Sequence, residues 1–567
     1  MVARHLGVVE VASSNLVTQT IFINFNKSAF HFIKTEVSLK MKNNIEKFYI
    51  TTAIAYASKK PHIGNTYEII LTDAIARFKK MQGFDVCFCT GTDEHGQKIE
   101  QIAKEKNIEP QVHVNLISSE IERIWKLLNC EFDLFIRTTD PHHVKIVKQI
   151  FKKLFDQGDI YKSSYEGWYC VADESFLADS QVVDEKCPEC GRKVVKTKEE
   201  AYFFKVDKYK EQLLNHINSH NEFIYPSFYR DEIVNNFFKT GLRDFCVSRS
   251  SFKWGIPIDF DSNCVVYVWL DALINYITAL GFELDENCCS GKFKKFWPAN
   301  LQIVGKDILR FHAIIWPMIL MALNLPLPKQ ILAHQWIICK DGKMSKTSGN
   351  VIYADELVDL FSTDAVRYYV LNAVSTSHDG IISYEDIIDV YNMDLANTIG
   401  NLVKRSCDMA YKYFNGNIIY SKNETEINTE LKTFSEKCYL EYENLMNTYK
   451  ISDSIAVILS LARFCNKFIE KKAPWTMAKK SGCKAQLNSI LFNLIEAIRF
   501  IGIMLLPIMP ESAEKILKQI GAKSRDLNSL KNFGGECLDA KIEKPEVLFS
   551  RIDKEKKLKE IKIYNGV

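Results

Sequence analysis

Residues 48–54 form an apolar run, FYITTAI, long enough for one buried strand and too short for a buried helix. From 64 to 81 the pattern changes: Tyr67, Leu71, Ala74, Phe78 and Met81 recur at helical spacing. Strand, short loop and helix in this order predict the opening unit of a doubly wound nucleotide-binding sheet, where ligands sit beyond the carboxyl ends of the strands. VCFCT at 86–90 and LQIVG at 301–305 read as further strands, and 141–158 as a helix with Val144, Val147, Ile150, Phe151, Leu154 and Phe155 inward. Short strands are predicted over 161–198 and mostly helix over 202–245. A hairpin follows, leading into a helix with Trp269, Ala272 and Tyr276 on one side. From 391 onward long amphipathic patterns predict a helical bundle.

Candidate chemistry falls where these elements join. In the loop AIAYASKKPHIGN, Pro61 sets the entry to the helix, Gly64 admits a phosphate or flat ring, His62 adds a donor, and the helix N-terminus favours negative charge. By itself PHIG also suits an ordinary turn with a solvated histidine. Downstream, in KDGKMSKTSGN, Gly342 and Gly349 bracket Lys343 and Lys346, giving a cationic flap suited to a polyphosphate; a plain basic loop is the rival reading. Asp93 ends the second strand, placed to hold an ammonium group or to cap a helix starting near His95.

Cys187-Pro-Glu-Cys190 is a knuckle whose two thiolates suit one tetrahedral ion, with Cys170 a third ligand and Asp173 where a fourth cysteine would complete the set. Zinc held by three cysteines and an aspartate, and a knuckle that has lost its zinc, both stand.

With 567 residues, 47% hydrophobic and 25% charged, the chain is globular and long enough for several domains. A net charge of +3 excludes binding nucleic acid by overall charge and leaves a local basic face. Sixteen scattered cysteines fit a reducing compartment rather than a disulfide framework. No apolar run reaches the length of a membrane span, so a soluble, cytoplasmic chain without a membrane partner is expected. In the N-terminal extension, placed at 1–44, the first 40 residues carry Arg4, Lys27, Lys34 and Lys40 against Glu10 and Glu36. They read either as an organelle-targeting segment or as an upstream extension before Met41, and neither predicts a folded element.

Taken together, PHIGN and KMSKT, about 280 residues apart, closely resemble the two signatures of class I aminoacyl-tRNA synthetases, with the last residue of each altered. TGTDEHG, VYVWLDA, VGKDILRFHAIIWP and KMSK narrow the resemblance to the methionyl-tRNA synthetase family, over about 47 to the end. No room exists between the signatures for the editing domain of the synthetases for branched aliphatic amino acids.

The resemblance implies an α/β architecture. A Rossmann-like parallel-sheet catalytic domain would span 45–160 and 230–335, with a zinc-knuckle-type connective insertion at 161–229 and a KMSK and stem-contact region at 336–390. An all-α anticodon-binding domain would follow at 391–567. It implies a methionine pocket of Ile54, Tyr56, Asp93, Trp269, Ala272, Tyr276, Ile308 and His312. ATP contacts would fall on His62, Gly64, Asn65, Gly305, Asp307 and Lys346. Catalytic roles would fall on His62, Asn65, Lys343, Lys346 and Arg249, and anticodon reading on Asn401, Arg405 and Trp475. Implied partners are ATP with Mg2+, L-methionine and tRNA(Met), with zinc open and the chain a monomer. The pattern departs at Asn65 for histidine, Thr347 for serine, Ala55 for proline or tyrosine and Leu273 for proline. Two other functions stay open: a class I synthetase for another amino acid, and a catalytically weak or silent tRNA-binding paralogue.

Overall fold

Strand β1 (Lys47–Thr52) is an inner strand of the main parallel sheet, and its alternation divides the core. Phe48 and Ile50 pack into one buried cluster and Tyr49 into another, because successive side chains of a strand face opposite sides of the sheet. The structure, a computed structural model, describes residues 45–170, 175–177, 182, 184–187, 191–239, 241–339, 351–375, 377–418, 429–534 and 541–564.

After β1 comes helix α1 (Ile63–Met81), which buries Ile63, Tyr67, Ile70, Leu71, Ala74 and Phe78 and ends with Lys79 and Lys80 where the helix dipole favours cations. Strand β2 (Asp85–Asp93) pairs with β1 in parallel, Ile50 opposite Phe88. Beyond it come β3 (Leu134–Arg137) and helix α2 (Pro141–Asp156). Strands β4 (Ile224–Tyr225), β5 (Leu301–Gly305) and β6 (Ile331–His334) complete a parallel sheet of order β3-β2-β1-β5-β6-β4; the short strand Ala55–Tyr56 makes it seven-stranded. The order reverses at β1, so a crevice opens beyond the carboxyl ends of β1, β2 and β5. Helix α3 (Val268–Thr278) lies against this sheet and is buried nearly all round.

Residues 202–245 are mostly helical as expected, in Asp207–Ser219, Ser227–Ile233 and the π-helical Val234–Phe238, although the strand Val195–Phe204 runs into them and β4 lies between the first two helices. Two details change. A two-residue strand shows no periodicity, so β4, a member of the central sheet, was assigned by sequence to the insertion. The helix after β2 starts at Gln97 with Gly96 as its N-cap, so Asp93 is not a cap.

The insertion is a four-stranded antiparallel sheet built on Ile160–Cys170 and Val195–Phe204. Cys170 and Cys187 are both buried beside Val194. Asp173 and Cys190 lie outside the described residues, and among the described residues no group of three or more His, Cys, Asp or Glu side chains is arranged to hold a metal ion.

From Tyr391 onward the chain is helical: a π-helical segment to Gly400, then Asn401–Phe414, Thr429–Asn447, Ile451–Lys472 and Lys484–Leu505. Contrary to the sequence expectation, Lys484–Leu505 is long and apolar enough to cross a membrane; 89% of its apolar window is buried inside the protein. It also carries the buried pair Glu496 and Arg499, joined at 2.6 and 2.9 Å, with Arg499 donating to Ser529 at 2.7 Å. Such a pair is costly in lipid and satisfied here, which marks a bundle core.

Arg367, fully buried, joins this unit to the parallel-sheet one. It donates to Asp73 of α1 at 2.6 Å, to the Leu128 carbonyl at 3.1 Å and to the Pro507 and Ile508 carbonyls at 3.0 Å each.

Candidate active site

The crevice beyond the strand ends is a cavity of about 470 Å3. Ile54, Tyr56, His62, Gly64, Asn65, Asp93, Trp269, Ala272, Tyr276, Gly305, Asp307, Ile308 and His312 all line it, so four separate stretches of sequence converge on one space. Asp93 reaches it because β2 ends there in register with Tyr56.

At one end α3 turns Trp269, Ala272 and Tyr276 toward the cavity. Trp269 is stacked on Phe311 with ring centroids 3.7 Å apart, a rigid flat wall. The tautomer of His312 follows from its partners. Its Nδ1 lies 3.0 Å from the Ile308 carbonyl, which can only accept, so Nδ1 carries the proton and Nε2 accepts from the Tyr276 hydroxyl at 2.8 Å. Burial pulls the His312 pKa down to about 4 and raises that of Tyr276, so both are neutral at physiological pH. An uncharged, partly aromatic end suits a thioether and rejects a charged side chain.

At the other end stands the N-terminus of α1, where the helix dipole favours negative charge; the Ile63 N–H is taken by the Ile352 carbonyl and those of Asn65 and Thr66 by the His62 carbonyl. The His62 N–H donates to Asn65 Oδ1 at 3.2 Å, which leaves the Asn65 amide NH2 as its remaining donor. A Cβ on Gly64 would stand 3.1 Å from the His62 ring, so glycine gives that ring its room. At Gly305 a Cβ would meet Asp307 Oδ1 at 2.6 Å, so only glycine lets this carboxylate fold over the end of β5. Gly305→Ala should therefore displace the Asp307 carboxylate from its place on the cavity wall.

Several wall residues escaped sequence reasoning. Glu68 accepts from the Ala53 N–H at 2.6 Å and meets His334 Nε2 at 2.9 Å. Burial raises the Glu68 pKa, and although burial pulls His334 down, Glu68 outweighs it and raises that too, so the pair holds its proton tightly. Trp336 donates its indole N–H to Asp307 at 3.1 Å. A glutamate within the apolar run of α1, and a histidine ending the buried strand β6, were signals in the sequence, since charge at such positions needs a partner.

Arg249 stands apart from the cavity wall: it is 1% exposed, ion-paired with Glu199 at 2.7 Å and 3.9 Å above the Tyr169 ring. Lys343 and Lys346 lie outside the described residues. In the helical unit Asn401 is exposed, with Arg405 one turn further along. Arg405 is paired with Glu470 at 2.8 Å and lies 5.7 Å over Trp475, which is 36% exposed.

Known proteins share this arrangement. The family described as "tRNA synthetases class I (M)" matches residues 48–199 and 190–407, and "Anticodon binding domain of methionyl tRNA ligase" matches 418–567. The methionine--tRNA ligase of Clostridium acetobutylicum is 49% identical over 91% of this chain and 80% of its own length; that of Clostridium perfringens is 48% identical over 91% and 79%. The structure of Mycobacterium tuberculosis methionyl-tRNA synthetase in complex with methionyl-adenylate superposes with a TM-score of 0.85 at 35% identity, covering 89% of this chain and 100% of that one. The chain belongs to the methionyl-tRNA synthetase family of class I aminoacyl-tRNA synthetases.

Proposed function

We propose that this cavity performs methionine activation, with each wall in a separate role. The observation that carries the reading is the single space joining a carboxylate at a strand end, a neutral aromatic pocket and a helix N-terminus. Asp93 takes the ammonium of L-methionine. Trp269, Ala272 and Tyr276 enclose its side chain, and the neutral His312–Tyr276 pair meets the sulfur. Gly305 and Asp307 receive the nucleoside, and His62, Asn65 and the start of α1 receive the phosphates.

The substrate carboxylate is already ionised, so no general base is needed. Its oxygen attacks the α-phosphorus of ATP, the bond from that phosphorus to the bridging oxygen breaks, and pyrophosphate leaves with the electron pair. Methionyl-adenylate remains. Catalysis is then positioning and stabilisation of charge on the phosphoryl oxygens, by His62, Lys346 and the helix dipole. Asn65 contributes a hydrogen bond without charge, which gives slower activation than a histidine there. In the second step a hydroxyl of the terminal ribose of tRNA attacks the acyl carbon, and AMP leaves.

Of the carboxylates on this wall, Glu68 is held by Ala53 and His334, and Asp307 by Trp336. That fits Mg2+ carried mainly by phosphate oxygens and water rather than by a protein cage, where it supplies neutralisation of phosphate charge.

The test is pyrophosphate exchange with each amino acid in turn, followed by charging of tRNA. Exchange dependent on methionine, with charging of tRNA(Met), is expected. Exchange with a different amino acid alone, or tRNA binding without exchange, overturns the reading.

A further inference from the structure

Helix α3, whose outer face walls the cavity, carries one carboxylate on its back. Asp271 is fully buried and does not line the cavity. Both its oxygens are taken by imidazoles: Oδ2 by His95 Nδ1 at 2.7 Å and Oδ1 by His143 Nε2 at 2.8 Å. His143 Nδ1 in turn meets the Thr278 hydroxyl at 2.7 Å, on the last turn of α3. Burial alone would raise the Asp271 pKa, but the two histidines outweigh it and hold it below the usual carboxylate range.

A carboxylate in an otherwise apolar helix adds little to stability, since an apolar side chain of similar size commonly serves as well. What it adds is register. His95 is two residues beyond Asp93, in a loop tied on several sides. Glu94 receives Arg137 at 2.7 and 2.8 Å, the Gly96 N–H donates to the Trp254 carbonyl at 3.0 Å, and the Trp254 indole donates to the Glu94 carbonyl at 2.6 Å. The His95–Asp271 bond therefore links a stiff loop, continuous with Asp93, to the helix that holds Trp269 and Ala272.

We infer that His95, with His143 behind it, is a positioning residue that sets the span between the Asp93 carboxylate and the Trp269–Ala272 wall, and so sets which amino-acid side chain the cavity accepts. This rests on the reading of Asp93 as the ammonium site. Pockets separate side chains differing by one methylene about 10- to 200-fold, so a slackened span costs discrimination before it costs chemistry.

His95→Phe keeps a ring beside Trp254, whose centroid is 5.5 Å away, and removes the bond to Asp271. In pyrophosphate exchange with the full chain it should raise the methionine KM about tenfold, leave the ATP KM within about twofold, and reduce the preference for methionine over leucine about tenfold. His95→Asn, which restores a donor, should recover most of the loss. If His95→Phe does not fold, His95→Phe with Asp271→Leu leaves no half-paired carboxylate and carries the same expectation. Unchanged methionine KM and selectivity, a parallel rise of both KM values, or no recovery with asparagine overturns the inference. Asp93→Asn, measured alongside, separates it from its parent. If that variant keeps the methionine KM, the ammonium reading falls and this falls with it; if it raises the KM while His95→Phe does not, only this inference falls.

Discussion

Replacing Lys346 by alanine should lower the rate of methionine activation by roughly 2 to 3 orders of magnitude and leave the methionine KM nearly unchanged. The chain on either side of 340–350 is described, and both sides meet the start of α1. The Ile63 N–H donates to the Ile352 carbonyl at 2.9 Å, and a Cβ on Gly64 would lie 3.4 Å from the Ile337 carbonyl. Lys346 is six residues before Ile352, within reach of the phosphates assigned to that helix end. Among the described residues the proposed methionine pocket is lined by α3, the end of β2, Ile54, Tyr56, Ile308 and His312. A cation that meets charge developing in the transition state changes turnover, whereas one that meets both ground and transition states changes KM. Methionine-saturated exchange on Lys346→Ala decides it: turnover close to that of the unaltered chain removes Lys346 from the mechanism.

How much of this was legible in the sequence depended on the range of the interactions involved. β1 and α1 were read nearly to the residue, because a buried parallel strand and an amphipathic helix each write their environment into local periodicity. β4 escaped because two residues have no period, and its place in the sheet comes from pairing with β6 far along the chain. Thirteen of the residues carried over from family motifs do line one cavity, since motifs at strand ends are brought together by the sheet itself. Arg249 matched a motif too, yet its guanidinium is occupied by Glu199 and Tyr169, a contact between elements that local pattern does not encode. Asp271 was overlooked for the opposite reason. It was read as part of a motif string, while a lone acid in VWLDALINYI, apolar all round, already required buried partners.

Trp475→Ala should cut charging of tRNA while methionine activation stays almost unchanged. The helix Ile451–Lys472 ends at Ala473, whose φ of 41° lies in the left-handed region, and Pro474 starts a new short helix. That turn places Trp475 at the surface, 36% exposed, with the Arg405 guanidinium 5.7 Å from its ring. A half-open indole beside a guanidinium suits an unstacked base, which would cover the ring and meet a donor at its edge. Losing one stacked base costs about 1–3 kcal/mol, so charging efficiency falls roughly 5- to 150-fold. Activation needs no tRNA, and its cavity lies in the parallel-sheet unit, which Arg367 ties to the bundle through Asp73, Pro507 and Ile508. Through that tie, a contact of tRNA with Trp475 would bear on a reaction elsewhere, by keeping the tRNA in register with the cavity. Both activities are measured on one preparation of the variant, with its melting temperature. If exchange and charging fall together and the protein melts earlier, Trp475 belongs to the packing of the bundle and the anticodon assignment is wrong.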